Sequence, residues 1–373
     1  MGRILTKPKA QDRADARRDS GRRVRAGGAL RRALRAGGLL IVTLSLSGCY
    51  LLQAASGQMG VLSRSRPIDA AIADPATPPA TREGLRLAVR ARAFAVEQLG
   101  LPDGRSYRKF ADLGRPYAVW NVVATPEFSI RPTHWCFPIA GCVSYRGYFK
   151  EASARAFALK MSARGQDVTV DGVPTYSTLG HFPDPLFSTM LGWREARLVG
   201  TIFHELAHER LYVAGDTEFN EAFASVVEDE GVRRWLTDNG RSSELEAYRL
   251  AAVREAEFSG LIETARERAA RLYRSGLAPA EMRVEKERAF GRLKFEYEQL
   301  RERWGGYRGY DGWFARPLNN AHLAAVATYQ DCVPGLRREL DAAGSLRDFY
   351  RRAEALAGLD RAARHARVCA GAG

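Results

Sequence analysis

The spacing of apolar residues predicts a mixture of helices and strands along most of the chain. Residues 83–99 have a helical repeat, whereas residues 119–148 are rich in β-branched and aromatic side chains and predict strands with a hairpin. A further helix is expected near 150–164, followed by strands at 168–170 and 174–178. The apolar positions of the first helix are Leu85, Val89, Ala93 and Val96.

Two successive helices are predicted in the middle of the chain, over 188–213 and 217–236. Between them Gly215 suits a helix stop, and either Asp216 or Thr217 suits the N-cap of the second helix. The chain is therefore expected to reverse direction over a short turn, which would place the two helices side by side.

A long charged segment, 243–305, predicts two antiparallel helices broken near 276–279. Its apolar positions fall on one side of a helix, at Leu245, Tyr248, Ala252 and Ala256. The charged side is expected to face solvent, with partner docking as an alternative that no motif supports. These elements together indicate an α+β fold with a small β-sheet and an added long helical hairpin.

The N-terminal segment has the pattern of a secretory signal. Residues 1–48 are basic and end in a short apolar run, which is too short for a permanent membrane span. Leu46-Ser47-Gly48-Cys49 resembles the bacterial lipobox, which implies cleavage before Cys49 and lipid on that cysteine. An ordinary signal peptide is the alternative. Residues 49–82 are expected to be a lipid-anchored tether, and residues 83–373 the folded domain.

Charge bears on localisation and on possible partners. The full chain carries a net charge of +14, of which residues 1–48 supply +9. The high isoelectric point therefore gives little support to nucleic-acid binding by the mature protein. Tyr50 follows the lipobox-like string, and by resemblance to bacterial lipoproteins this residue favours the outer membrane, with the protein facing the periplasm. The expected contact with the membrane is through the lipid on Cys49.

Four cysteines follow Cys49, and an even number in an exported chain suggests disulfides. The short spacing favours the pair Cys136–Cys142, which leaves Cys332–Cys369 to close the C-terminal region. Free buried thiols are the alternative for the second pair.

The string His204-Glu205-Leu206-Ala207-His208 contains the candidate metal ligands and the candidate general base. Two histidines four residues apart on a helix can reach one metal ion, and Glu205 can take a proton from a water on that metal. The flanking residues are apolar, as expected of a buried helix. Glu221, near the start of the next helix, is the expected third ligand, and one zinc ion is the expected cofactor.

These residues resemble the gluzincin branch of the zincins, in which a helix with Asn-Glu-x-x-Ala follows HExxH; here that string starts at Asn220. More closely, the chain is similar to a bacterial family of predicted aminopeptidase lipoproteins. The matching stretches are Trp135 to Phe149, Tyr176 to Gly180 with Asp184-Pro185, residues 204–224, and Asn319-Asn320-Ala321. The resemblance implies a zincin-like core, a zinc peptidase activity and peptide or protein substrates in the cell envelope.

Further site residues are expected around the metal. Glu228 or Ser225 could accept a hydrogen bond from a ligand histidine. An oxyanion-stabilising donor is also required, and the candidates for that role are Tyr329, His322 and Tyr176. An aminopeptidase would in addition need an acidic group for the substrate amine, for which the candidates are Glu228, Asp229 and Asp184.

The favoured function is thus a zinc-dependent peptidase, an aminopeptidase by resemblance, with Glu205 as general base. One alternative is an envelope lipoprotein that acts as a binding or assembly module without catalysis. Another is a zinc amidase that cleaves cell-wall peptides by the same chemistry.

Overall fold

The computed structural model describes residues 50–137, 141–176, 183–326 and 332–369. The chain divides into two compact units, Met1–Gly57 and Gln58–Gly373. In the first unit, residues 50–57 are helical. The expected signal peptide and the expected lipidation site at Cys49 lie outside the described residues.

The strands of the second unit form two three-stranded sheets and one hairpin. One sheet has the order β1-β2-β8, the other has the order β6-β3-β7, and β4 pairs with β5. The strands are β1 (Ser65–Pro67), β2 (Lys109–Ala111), β3 (Val119–Pro126), β4 (Trp135–Phe137), β5 (Gly141–Val143), β6 (Arg146–Tyr148), β7 (Gln166–Val173) and β8 (Leu186–Phe187).

Helices make up most of the described chain. They are α1 (Ile68–Ala73), α2 (Pro79–Glu97), α3 (Glu151–Ser162), α4 (Glu195–Arg210), α5 (Thr217–Asp238), α6 (Ser242–Leu272), α7 (Pro279–Arg303), α8 (Asp311–Phe314), α9 (Asn320–Ala325), α10 (Val333–Ala343), α11 (Leu346–Ala357) and α12 (Arg361–Val368). The α+β composition predicted from the sequence is therefore present.

Helices α4 and α5 lie at the centre of the main hydrophobic core. They pack along each other, and α2 covers α4 while α10 covers α5. Their buried side chains include Phe203, Phe219 and Phe223, none of which is exposed to solvent. Because the two helices are enclosed by neighbours, polar groups on their shared face are removed from bulk water.

The strand β3 is the central strand of its sheet and is almost continuously apolar. It pairs antiparallel with β6 on one side and with β7 on the other. Nearly all its residues are buried, so it lacks the alternation of a half-exposed strand. The strand structure predicted over 119–148 is thus confirmed for its first part, Val119–Pro126.

The helical hairpin of α6 and α7 has a small hydrophobic core of its own. Phe258, Ile262 and Leu293 are buried within it, and the ring of Tyr297 stacks on Phe314 with centroids 3.9 Å apart. The expected pair of antiparallel helices is present, with α7 starting at Pro279.

Two polar clusters attach this hairpin to the sheet. Lys286 on α7 forms an ion pair with Asp167 on β7 at 2.6 Å. Asn320, which has no solvent exposure, accepts a hydrogen bond from Tyr273 at 2.7 Å and donates to the carbonyl of Glu127 at 2.9 Å. The Asn319-Asn320-Ala321 string therefore joins the hairpin to the ends of β3 and β7.

Several predicted boundaries differ from the structure. The helix expected over 188–213 begins only at Glu195, because residues 188–190 form a separate 3₁₀ turn. In the strand expected at 174–178, residues 174–176 are irregular, and the remainder lies outside the described residues. The helix near 150–164 is confirmed as α3.

The tether expected at 49–82 does not extend that far, because the second unit starts at Gln58. Val61, Ile68 and Ala71 are buried in the main core, and β1 pairs with β2. These apolar residues fit the core, and Pro79 begins α2 instead of marking an open linker.

Both expected disulfides, Cys136–Cys142 and Cys332–Cys369, are present. The first joins β4 to β5, where the two cysteines face each other in the strand pairing. Among the described residues, no helix is both long and apolar enough to cross a membrane.

Replacing Asn320 by alanine tests the attachment of the hairpin. We expect Asn320→Ala to lower the free energy of unfolding by about 1–3 kcal/mol, because the hydroxyl of Tyr273 loses its acceptor and the carbonyl of Glu127 keeps only the hydrogen bond from Lys286. Chemical denaturation measures the change. The control, Gln299→Ala on the exposed side of α7, should stay within about 0.5 kcal/mol of the parent. Equal stabilities of the two variants would contradict the assigned role.

Candidate metal centre

Helix α4 presents its two motif histidines on one side. His204 and His208 are one turn apart, with ring centroids 4.8 Å apart and rings nearly perpendicular. Their Nε2 atoms are separated by 3.2 Å. The apolar residues of the same helix are packed into the core, which fixes the rotation of α4 and directs both imidazoles toward α5.

The turn after α4 is held by polar contacts that bring Glu221 back to the histidines. Gly215 has a φ of +80°, a conformation that other residues rarely adopt. The side chain of Asn220 accepts from the amide of Val213 and donates to its carbonyl, both at 2.8 Å. Asp216 caps α5 by accepting from the amide of Phe219, as one of the two predicted N-caps.

Glu221 completes a group of three potential metal ligands. Its Oε2 lies 3.3 Å from Nε2 of His204, and its Oε1 lies 3.6 Å from Nε2 of His208. The structure therefore brings together the three residues that the sequence nominated as ligands.

The separations within this group match the requirement of a tetrahedral ion. Nitrogen and oxygen ligands lie about 2.0–2.2 Å from zinc, so two ligands of a tetrahedral zinc are roughly 3.3–3.6 Å apart. The two imidazole nitrogens are 3.2 Å apart, next to this range, and each oxygen of Glu221 lies 3.3 or 3.6 Å from one of them. With one ligand atom taken from each residue, the three atoms lie within 4.8 Å of one another. The donor set of two imidazoles and one carboxylate suits zinc and leaves a fourth position for water.

The two histidines have opposite electrostatic environments. Burial disfavours the charged form of His204, but hydrogen bonds to Glu221 and Glu228 outweigh it and raise its pKa. Burial and the charge of His204 lower the pKa of His208.

Glu228 orients His204 from the next turns of α5. Nδ1 of His204 donates to Oε2 of Glu228 at 3.0 Å, which leaves Nε2 directed toward His208 and Glu221. Two residues were expected as the acceptor for a ligand histidine, Glu228 and Ser225. Among the described residues, the acceptor for His204 is Glu228.

Two glycines allow α4 and α5 to approach this closely. A Cβ atom on Gly200 would lie 2.8 Å from Oε1 of Glu228, and one on Gly231 would lie 2.7 Å from the ring of Phe203. Each glycine thus receives a side chain of the facing helix. Sequence reasoning missed both, because a glycine inside a helix shows its purpose only once the facing helix is known.

Glu205, the expected general base, lies on α4 beside an unusual tyrosine. Tyr107 is buried and has a φ of +58°, the one positive φ among the described non-glycine residues. Burial and the charges of Glu205, Asp184 and Glu209 raise the pKa of Tyr107 well above its ordinary value. Its strained backbone is held by the amide of Tyr107 donating to the carbonyl of Asp184 at 2.7 Å.

Two exposed tyrosines flank the ligands and were not nominated from the sequence. The ring of Tyr212 packs edge-on against His208, with centroids 6.4 Å apart. Tyr145 lies in the link between β5 and β6, and its side chain is partly exposed, at 45%. Its partial burial and the charge of Glu221 raise its pKa. The quoted stretch from Trp135 to Phe149 contains Tyr145, which was the available signal.

The three tyrosine and histidine candidates for oxyanion stabilisation are placed differently. The hydroxyl of Tyr176 donates to Gln58 at 2.6 Å, and its ring packs against Phe149 and Phe187. His322 belongs to a capping box with Asn319 at the start of α9. Both side chains have structural partners there, and Tyr329 lies outside the described residues.

The acidic candidates for binding a substrate amine also have other neighbours. Asp229 forms an ion pair with Arg337 on α10, and Glu228 is engaged by His204. Asp184 is buried, with its carbonyl bonded to Tyr107.

Two other groups of potential ligands among the described residues do not suit a metal. In the group with Cys332 and Cys369, the two sulfurs form a disulfide. In the group of Asp216, Glu218 and His365, both oxygens of Asp216 are already bonded, and Arg364 supplies the positive charge.

Helix α4 with its HExxH string and the facing carboxylate of α5 thus define a candidate metallohydrolase centre. Residues 49–368 match the family model described as Putative aminopeptidase, and the chain belongs to this family. No curated protein and no solved structure matches the chain.

Substitution of Gly200 tests the close contact between α4 and the side chain of Glu228. We expect Gly200→Ala to displace the carboxylate of Glu228 from His204 and to weaken zinc binding about 10- to 100-fold. Titration against a chelating dye measures the zinc dissociation constant. The control is Gly260→Ala on α6, where a Cβ atom meets nothing within 4 Å, and it should leave zinc binding unchanged. A Gly200→Ala protein with the parent dissociation constant would show that the contact does not matter.

Proposed function

We propose that this chain is a zinc-dependent peptidase of zincin-like architecture that hydrolyses peptide bonds in the bacterial cell envelope. The carrying observation is the convergence of two imidazole nitrogens and a carboxylate, with ligand atoms within 4.8 Å of one another, in a donor set that suits a tetrahedral zinc. Membership of the Putative aminopeptidase family supports peptides as the substrates.

His204, His208 and Glu221 would hold the ion, and Glu228 keeps His204 in the tautomer that directs Nε2 to it. A zinc bound there would supply Lewis acidity for the scissile carbonyl and would lower the pKa of a bound water. The site is also largely buried between α4 and α5, which strengthens every charge interaction within it.

Glu205 acts as the general base and then as the general acid. Its carboxylate takes the proton of the attacking water as oxygen adds to the carbonyl carbon. It then delivers that proton to the departing nitrogen, so the peptide bond breaks with a neutral amine as leaving group. The same carboxylate can serve both steps because the attacking oxygen, which gives up the proton, and the departing nitrogen, which receives it, are attached to the same carbon.

Tyr145 supplies the hydrogen bond to the developing oxyanion. Its side chain is partly exposed beside Glu221, and its raised pKa keeps the hydroxyl protonated over the working pH range. A phenol in this position donates to negative charge that is present only during the reaction. The disulfide Cys136–Cys142 and the pairing of β6 with β3 hold the backbone on both sides of it.

The location in the envelope rests on the N-terminal sequence. The lipobox-like string before Cys49 supports a lipid anchor at the start of the mature chain, and the two disulfides suit an oxidising compartment. Peptides or exposed protein segments of the periplasm are then the available substrates.

The central experiment compares the purified full chain, in detergent, with its Glu205→Gln variant. Both proteins should bind about one zinc per chain. Cleavage of a peptide library with free N-termini should fall by about 10²- to 10⁴-fold in the variant, because the proton acceptor is lost. Elemental analysis and mass spectrometry of the products measure the two quantities.

Each outcome of that experiment is informative. Single-residue trimming from the N-terminus would support an aminopeptidase, and internal cuts an endopeptidase. Zinc in both proteins with cleavage by neither would favour a binding module or a cell-wall amidase, for which peptidoglycan fragments are the next substrate. A parent protein that binds no zinc would overturn the proposal.

Tyr145→Phe tests the oxyanion donor. We expect kcat to fall by about 10²- to 10³-fold with little change in KM and with unchanged zinc content, since the hydroxyl acts in the transition state. Steady-state kinetics with a cleaved peptide measure both constants. The control is Tyr117→Phe, another exposed tyrosine, whose ring packs against Trp120. An undiminished kcat for Tyr145→Phe would assign the role elsewhere.

A further inference from the structure

The carboxylate of Asp216 joins two distant parts of the chain, the start of α5 and the helix α12. It is 1% exposed, and its Oδ1 accepts from the amide of Phe219 and from Nε2 of His365, the latter at 2.8 Å. Its Oδ2 accepts from Nε and Nη2 of Arg364, both at 2.8 Å. The N-cap of the helix that carries Glu221 is thus bonded to the C-terminal helix α12.

Arg364 is itself built into this position. It is 3% exposed, and its Nη1 donates to the carbonyls of Leu359 at 2.8 Å and Ala357 at 3.1 Å. The guanidinium also lies over the ring of Phe219, 5.2 Å from the centroid. A buried arginine with this many partners cannot move without leaving several polar groups unsatisfied.

Helix α12 is held from its other end as well. The disulfide Cys332–Cys369 ties the residue after α12 to the residue before α10. Gly335 on α10 contacts the backbone of Val368 so closely that a Cβ atom there would clash. Because α10 packs on α5, the C-terminal segment forms a clamp from α5 through α10 and α12 back to Asp216.

We propose that Arg364 and His365 are positioning residues that act through Asp216 to hold the first turns of α5, and with them the Glu221 carboxylate, in the geometry that binds the metal. This inference rests on the proposed function. Here Glu221 follows the N-cap by only five residues, so it lies in the second turn of the helix.

The first turn of a helix is the part most easily lost, because its amide groups lack partners within the helix. Loss of this turn would expose Phe219, which is buried in the main core, but it would still cost less than unfolding of the whole domain. Freed from Arg364 and His365, Asp216 would be a buried and uncompensated carboxylate, which favours opening of the turn. Glu221 would then move away from the histidines while Phe223 and later residues stay packed.

The test uses Arg364→Lys in the purified full chain, with Arg316→Lys as the matched control. Arg316 is partly buried, and the side-chain bonds that the structure describes for it go to Asp171, Thr169 and Val170 on β7. We expect Arg364→Lys to raise the zinc dissociation constant about tenfold or more and to alter the visible spectrum of the Co²⁺-substituted protein. Arg316→Lys should change neither, whatever it does to the thermal midpoint.

The inference would be overturned if folded Arg364→Lys had the same zinc dissociation constant and the same Co²⁺ spectrum as the parent. If that variant does not fold, the same two measurements are made on His365→Gln, which removes only one bond to Asp216. It should weaken zinc binding in the same direction by a smaller factor, and unchanged binding would count against the proposal. A parent chain that binds no zinc would instead overturn the proposed function.

Discussion

The close contact between α4 and α5 is the constraint on which the candidate site depends. Gly200 receives the carboxylate of Glu228, and Gly231 receives the ring of Phe203. With two such contacts of opposite direction, neither helix can slide or rotate without a steric clash. The register between the helices is thereby set, and it places Glu221 opposite both histidines. Without this register the donor residues would still be present, but their atoms would not converge.

This constraint also concentrates charge in a space with little water. Glu221 and Glu228 are partly buried and face His204, and Glu205, on the same helix as His204, lies near the buried Tyr107. Burying carboxylates is costly unless positive charge compensates them. The histidines supply part of this compensation when protonated. A divalent cation would supply more, so the metal that we propose for this site would also compensate the charge of these acids.

Much of the helical fold could be predicted from the sequence, because periodicity reports how one element is buried. The hairpin of α6 and α7 and the turn at Gly215 were found in this way. The ligands were nominated by spacing on α4 and by the turn before α5. Periodicity does not report which distant residue meets a side chain, so the bonding of Asp216 by Arg364 and the contact at Gly200 were missed. Tyr145, which we propose as the oxyanion donor, was missed because its place beside Glu221 is set by the fold and not by a local sequence pattern.

The separations along the chain imply an order in which these parts form. His204 and Glu221 are separated by fewer than twenty residues, whereas Asp216 and Arg364 are 148 residues apart. Short loops close at a smaller entropic cost than long ones, so the ligand pair can form before the last helix reaches it. In a chain that crosses a membrane from its N-terminus, the ligands emerge first. A metal captured at that stage would be held by a nascent site, and its release would slow only when the C-terminal helix docks.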